Sequence, residues 1–379
     1  MSTRELVEEA DQAAVAYQVA LAKLGASTML GAIRAFSRLN PSQVAATKAG
    51  WLKEVTALIR RDRVQGQRLA IAYYRLSRAL RTGRTIGDPF APGPVGKVVT
   101  LAQLRREFER AVAGSPGAAL DGDEVIAARG KAGREVEPST TEPKSSLGRD
   151  DPDLDVSPGL IEVEELPDLD EVLAGLDREV DRETEEILKV VGPDRLEKKR
   201  KEREQSQSAE SRKGKHYTPQ QLRKMAKEDE DAVAAGTAGQ AERLAKNGAR
   251  QAVARIAERD PRAIGWVRRS LTGTPCGWCA MLISRGLIFY TSKRAASRAS
   301  GRRGSRGDGE RYHDHCQCVA EPVYSREQYF TSNIFDLNRR YAMEWPRITK
   351  GFYGKEALSV WRAHIRSQQS AKTPASRAA

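Results

Sequence analysis

The sequence predicts a mainly α-helical protein with a small α+β module near its C-terminus. Three observations carry this. Residues from about Arg4 to Arg38 are rich in Ala, Leu and Glu, and apolar residues recur at three- and four-residue steps from Trp51 to Leu80. Composition then breaks into an acid-rich and next a base-rich stretch. All four cysteines, Cys276, Cys279, Cys316 and Cys318, fall in one window, with His313 and His315 beside the second pair. The expected organisation is a helical N-terminal domain over 1–114, an acidic then basic linker, largely disordered, over 115–217, a C-terminal domain over 218–366 containing a Cys/His-pinned two-stranded unit, and a disordered tail over 367–379.

Residues from about Arg4 to Arg38 are rich in Ala, Leu and Glu and read as a helix. Asn40-Pro41 has the form of an N-cap followed by proline at the first helical position. Trp51, Val55 and Leu58, then Leu69, Tyr73, Leu76 and Leu80, keep the step of a helix with one buried face, and Gly83 is placed to cap it. A Pro/Gly turn follows at Pro89–Pro94, and Thr100 caps a shorter helix that runs to about Val112. From Asp150 to Glu186 there are 16 acids against 2 bases, which marks a solvated segment. Leucine and valine from Leu166 to Val190 also fit an acidic amphipathic helix. The chain turns basic at Lys198, Lys199, Arg200, Lys201 and Arg203.

Thr218-Pro219 repeats the cap-and-proline signal and opens a long helix to about Glu258. Asp260-Pro261 reads as the start of another, with Ile264, Val267 and Leu271 on one side and Gly273 at its end. Leu287–Thr291 is expected to be a strand paired with Cys318–Tyr324, separated from it by a basic Gly-rich loop, Arg302–Gly309. Ser325 caps a helix carrying Tyr329, Ile334, Leu337 and Tyr341, and a last helix spans Lys355 to about Arg366.

The totals restrict function. Hydrophobic residues are 39% and charged residues 30%, and the net charge is +13, which favours polyanionic partners, nucleic acid first. No stretch approaches the roughly 18–20 apolar residues of a spanning helix, so no membrane is expected. The N-terminus lacks a signal-peptide pattern. Synthesis in a cytoplasm is therefore expected, where thiols stay reduced and a cysteine cluster reads as metal or catalysis before disulfide.

Cys276-Gly277-Trp278-Cys279 places two sulfurs on one small ion, the glycine letting backbone amides bend towards sulfur. The second set arrives on Tyr312-His313-Asp314-His315-Cys316-Gln317-Cys318. Tetrahedral sulfur and nitrogen ligands suit zinc, at about 2.3 Å for Zn–S. Six donors are available for four positions. Cys276, Cys279, His313 and Cys316 are the first choice, with Cys318 next. Cys316 and Cys318, two apart, share a strand face, whereas His313 reaches it only from the preceding turn; a four-cysteine site is the rival. Four protein ligands make a closed, structural site. No catalytic set is assigned: no Gly-x-Ser-x-Gly elbow occurs, and His313-x-His315 near Glu310 and Asp314 is only the outline of a metal-dependent nuclease. His216 reads as solvated, and His364 as a surface or partly packed residue beside Trp361.

These residues resemble a family. The order C-x-x-C, strand, variable loop, H-x-x-C-x-C and strand looks like the Mu F-like minor head proteins of tailed bacteriophages, whose C-terminal module ends in a His-Pro-x-Cys-Arg-Cys segment. Thr274-Pro275-Cys276-Gly277-Trp278-Cys279-Ala280-Met281-Leu282 with Tyr312-His313-Asp314-His315-Cys316 resembles the version in phages of actinobacteria, and Leu69-Ala70-Ile71-Ala72-Tyr73-Tyr74-Arg75 looks like their front half. The resemblance covers about residues 245–324. Asp314 stands where the family has proline, Gln317 where it has arginine, and His315 is extra; the fourth ligand stays open. The resemblance implies a minor capsid protein of few copies inside the virion, associated with the portal and with capsid or scaffold proteins, acting in head morphogenesis and in DNA packaging or ejection. Proteins of this group are sometimes described as capsid maturation proteases, which is the alternative function. Arg294, Arg298, Arg302, Arg303 and Arg306 on the Gly-rich loop would follow phosphates without reading bases, a weak, non-specific DNA contact.

Overall fold

The computed structural model describes residues 2–91, 96–125, 160–166, 169, 171, 173–174, 184–270, 275–287 and 312–372. Three long helices build its core: α1 (Thr3–Phe36), α2 (Val44–Thr82) and a later one, α5 (Pro219–Arg259). Each packs on the other two. Ser2 caps α1 through a reciprocal capping box with Glu5, and Thr218 does the same for α5 with Gln221 and a proline at the first position. Gly83 closes α2 in the left-handed conformation, φ 70°. The start of α2 departs from expectation. Asn40 accepts a hydrogen bond from the Ser42 amide and closes a turn, and the helix begins at Val44 behind Gln43, which gives no side-chain cap.

By length and composition α1 is long and apolar enough to cross a membrane, which corrects the expectation that no segment is. In the fold its apolar side is covered by α2 and α5. Tyr17 stacks on Tyr73 of α2 at 4.5 Å between ring centroids, and Ala10, Ala14, Leu21 and Leu24 are buried with it. The third contact, α2 on α5, depends on a glycine: a Cβ at Gly248 would lie 2.8 Å from the Arg63 carbonyl oxygen and 2.6 Å from its Cγ. Backbone cannot yield as a side-chain end can. We expect Gly248→Ala to destabilise by about 1–3 kcal/mol despite alanine's better helix propensity, measured by urea unfolding.

Between the long helices lies a three-stranded sheet of order β1 (Arg84–Ile86), β3 (Leu160–Glu164), β2 (Val98–Thr100), and β2 leads straight into α3 (Leu101–Ala113), capped by Thr100. β3 is parallel to β1, with Thr85 opposite Val163, and antiparallel to β2, with Val99 opposite Ile161. The central strand therefore comes from the stretch read as linker. That stretch also supplies a π-helical turn, Val190–Asp194, with buried Gly192 and Pro193, and helix α4 (Arg195–Ser211). Glu164 ties β3 to the core: it accepts from Arg262 Nε at 2.8 Å, and Arg78 Nη2 also donates to it. Those bonds, Arg262 first, hold its carboxyl down at about 2. Because the folded value lies below the unfolded one, this contribution is complete above the ordinary glutamate range and is lost as pH falls towards 2. Glu164→Gln should lower stability at pH 7 by about 1–3 kcal/mol, with the gap to wild type closing on acidification, read by urea unfolding at several pH values.

The second sheet has two antiparallel strands, β4 (Gly265–Arg269) and β5 (Val319–Val323), with Val267 opposite Glu321. This corrects two expectations. Asp260 ends α5 and is not the start of a new helix: its carboxylate accepts from Arg78 Nε at 2.7 Å and from the Tyr74 hydroxyl at 2.8 Å. The following residues extend because all five positions of β4 are buried, which a one-sided helix would not allow. The partner of β5 is thus β4; of the expected strand Leu287–Thr291, residues 288–291 lie outside the described residues. Between β4 and β5 lies α6 in the cysteine region (Gly277–Ile283); after β5 come α7 (Arg326–Thr331, capped by Ser325), a 3₁₀ turn (Asn333–Phe335), α8 (Asp336–Ile348) and α9 (Gly354–Lys372). The single helix expected after Ser325 is split at Ser332, whose hydroxyl donates to Asp11 of α1 at 2.7 Å. The first part of the expected tail, residues 367–372, continues α9.

N-terminal and C-terminal segments share one core. Gln18 of α1 donates to the Gln317 carbonyl at 2.7 Å, Arg269 of β4 to the Ala14 carbonyl at 2.8 Å, and the Tyr73 hydroxyl of α2 to Glu321 of β5.

Candidate metal centre

Two short segments converge. Cys276 is the N-cap of α6 and its sulfur accepts from the Cys279 amide at 3.4 Å, so one helical turn brings both sulfurs to the same end. Gly277 is needed for a reason other than bending amides: a Cβ there would lie 2.7 Å from Arg362 Cγ and 3.1 Å from its Cα, so α9 would have to retreat. The second segment enters through a turn closed by the Cys316 amide on the His313 carbonyl at 3.2 Å. His315, in the left-handed region at φ 62°, reverses the chain there. Its ring goes away from the sulfurs to Glu242 of α5, 3.2 Å from Oε2. Asp314 likewise faces Arg243 and Gln240.

The other five predicted donors meet. His313 Nε2 lies 2.9 Å from Cys276 Sγ and 3.3 Å from Cys279 Sγ, and Cys279 Sγ lies 3.3 Å from Cys316 Sγ. They form two overlapping triads, Cys276–Cys279–His313 and Cys279–Cys316–Cys318, in each of which the donor atoms lie within 4.8 Å of one another. Cys279 belongs to both. His313 Nδ1 is 2.6 Å from the Asp314 carbonyl oxygen. A proton on Nδ1 donated there leaves Nε2 as the free donor aimed at the sulfurs, the arrangement that metal-binding histidines use.

The electrostatics divide the sulfurs, favouring ionisation of Cys276 and Cys316 and opposing it at Cys279 and Cys318. Cys276 is pulled down to about 4, first by the bond from the Cys279 thiol and then by His313. At Cys316 burial opposes ionisation, but bonds from Cys279 and Cys318 and the charges of Arg250 and Arg268 outweigh it. Cys279 is pushed up by donating to its neighbours. Cys318 is pushed up too: its bond with Cys279 opposes the shift, but the bond with Cys316 and burial outweigh it. The two arginines are buried and sandwich the Tyr312 ring, at 4.2 Å and 3.9 Å from its centroid. Arg250 donates to the Cys318 carbonyl at 2.9 Å and Lys246 to the Cys316 carbonyl at 2.7 Å, so α5 grips the backbone of the ligand segment. These supporting cations were not found from sequence. Glu242, Lys246 and Arg250 recur every four residues, which reads equally as an exposed helix face.

The donor set fits a tetrahedral ion. Ligand sulfurs around zinc stand about 3.8 Å apart, from a Zn–S length of about 2.3 Å; the contacts here are shorter by roughly half an ångström, so binding asks for a small outward shift. The surroundings close the site. Trp361 and Ile365 of α9 and Tyr341 of α8 are fully buried against it, and only Cys276 and His313 are partly exposed. Arg294, Arg298, Arg302, Arg303 and Arg306 lie outside the described residues. Of the other histidines, His364 packs on Trp361, 5.6 Å between centroids, and contacts Glu344.

Fold and site together define a helical protein whose C-terminal part is organised by a buried Cys/His cluster able to hold a metal ion. Residues 169–343, just under half of the chain, match the family model described as VG15 protein. That similarity points to a viral, phage-type protein and spans every donor of the site. No curated protein and no solved structure matches the chain.

Proposed function

We propose that this chain is a minor head protein of a tailed phage, associated with the portal inside the capsid, and that its C-terminal part is held together by one structural zinc ion. The observation that carries the zinc reading is the closed nest of five donors around Cys279. Cys276, Cys279, His313 and Cys316 would hold the ion, with Cys318 beside them; bound there, zinc supplies cross-linking between α6 and the segment leading into β5. The similarity to a VG15 protein supports the phage setting. The enclosure supports scaffold over catalysis, because a catalytic ion keeps a position open. Among the described residues, histidine rings contact cysteine, glutamate, glutamine and backbone, and none contacts a serine hydroxyl, so the maturation-protease reading gains no support from them. The divergence of His313 and His315 likewise gives none to a nuclease. Mass spectrometry of purified virions, with co-purification on tagged portal protein, tests the assignment. A few copies per particle and retention on portal are expected; absence from virions would refute it.

A further inference from the structure

Outside the metal centre, a second feature stands on its own. Helix α4 and the first turns of α5 form an antiparallel hairpin. Leu196 is the one buried residue described in α4, and α5 has no buried residue before Val233. The hairpin is an arm of about 25 Å, from the 17 residues of α4. Its tip is built: Gly214 turns the chain at φ 81°, the Tyr217 hydroxyl donates to Glu210, and Thr218 caps α5.

Charge along this arm is sorted. At the root, Asp229 neutralises Lys199 and Arg203, and Asp231 takes Lys227. At the tip, Arg212, Lys213, Lys215, Arg223 and Lys224 are all exposed, and none makes an ion pair among the described residues. The tip carries no exposed large hydrophobic residue either. A protein partner needs an apolar anchor at the centre of its footprint, and lysine is depleted there. A polyanion needs none, because release of condensed counterions supplies the affinity. Tyr217 is engaged with Glu210, and His216 is the only other aromatic ring at this tip among the described residues, so no ladder for unstacked bases is offered. In the acidic stretch of this same chain, Glu162 pairs with Arg84 and Glu164 with Arg78 and Arg262.

We infer that this helical arm is a sequence-independent binding site for the phosphate backbone of duplex DNA, with the five tip cations as its contacts. The inference does not depend on the metal centre. It is tested with the full-length protein and a fluorescent duplex of mixed sequence, by anisotropy across a salt series. One variant carries glutamine at Arg212, Lys213, Lys215, Arg223 and Lys224. A second, of equal net charge, carries glutamine at the exposed Arg4, Lys53, Arg106, Lys350 and Lys355. The arm variant should lose affinity and flatten the plot of log affinity against log salt by about 0.9 per phosphate contact removed, while the control keeps most of both and an unrelated duplex sequence binds equally. Circular dichroism should show both variants folded. Equal losses in the two variants, or no loss in either, would overturn the inference. So would binding of polyglutamate through the tip with no binding of duplex, which would assign the arm to an acidic protein.

Discussion

Cys279→Ser should strip the metal and loosen the C-terminal core in one step. Cys279 is the donor common to both triads, buried, 3.3 Å from both His313 Nε2 and Cys316 Sγ. Structural zinc contributes about 10–16 kcal/mol in small sites at neutral pH, so losing one of four ligands should cost about 3 kcal/mol or more. The side chains set against the site, Tyr341, Trp361 and Ile365, come from α8 and α9 and share one cluster with Cys279, Cys316, Cys318 and the α6 residues Ala280–Ile283. Near-ultraviolet circular dichroism should lose the contribution of Trp361 and Trp345 while that of Trp51 and Trp266 and most helical signal from α1, α2 and α5 persist. Cys318→Ser separates the ligand sets. If His313 is the fourth ligand, this variant keeps its metal; if the site is built from four cysteines, it loses the ion and His313→Ala keeps it.

Glu321→Ala should be the most damaging change outside the metal centre, by roughly 3–5 kcal/mol. Glu321 is wholly buried in β5, bonded by Arg269 Nε at 3.1 Å and by the Tyr73 hydroxyl. Arg269 is buried as well and its other contact is the Ala14 carbonyl. Removing the carboxylate leaves a buried guanidinium without a counter-charge, at the point where α1, α2 and both strands of the second sheet meet. Glu321→Gln retains an acceptor for Tyr73 and should be milder. Urea unfolding of the three proteins checks the order.

The sequence made some of this legible for physical reasons. Capping residues act locally, so Thr100, Thr218, Gly83 and Ser325 mark element ends that tertiary packing leaves in place. Cysteines are scarce, so their clustering survives any fold, and the structure brings all four to one place with His313. What failed was decided at long range. Leu160-Ile161-Glu162-Val163-Glu164 alternates with the period of a strand, but the surrounding acids hide it, and Arg78 of α2 and Arg262 of the α5–β4 turn make Glu164 structural. Ile264, Val267 and Leu271 have the spacing of one helix face, a pattern that says nothing of Arg268 and Arg269 in β4. Both are buried, one beside the sulfurs and one on Glu321. The cationic support from Lys246 and Arg250 was hidden in the same way, since a charged residue gives no local sign that it will be enclosed.

Elemental analysis of the purified full-length protein bears most directly on the central claim. Close to one zinc per chain is expected, released by a strong chelator together with the near-ultraviolet signal of Trp361 and Trp345 and restored when zinc is returned. Protein that is fully folded with no bound metal, or that gives up its zinc with that signal unchanged, would contradict it.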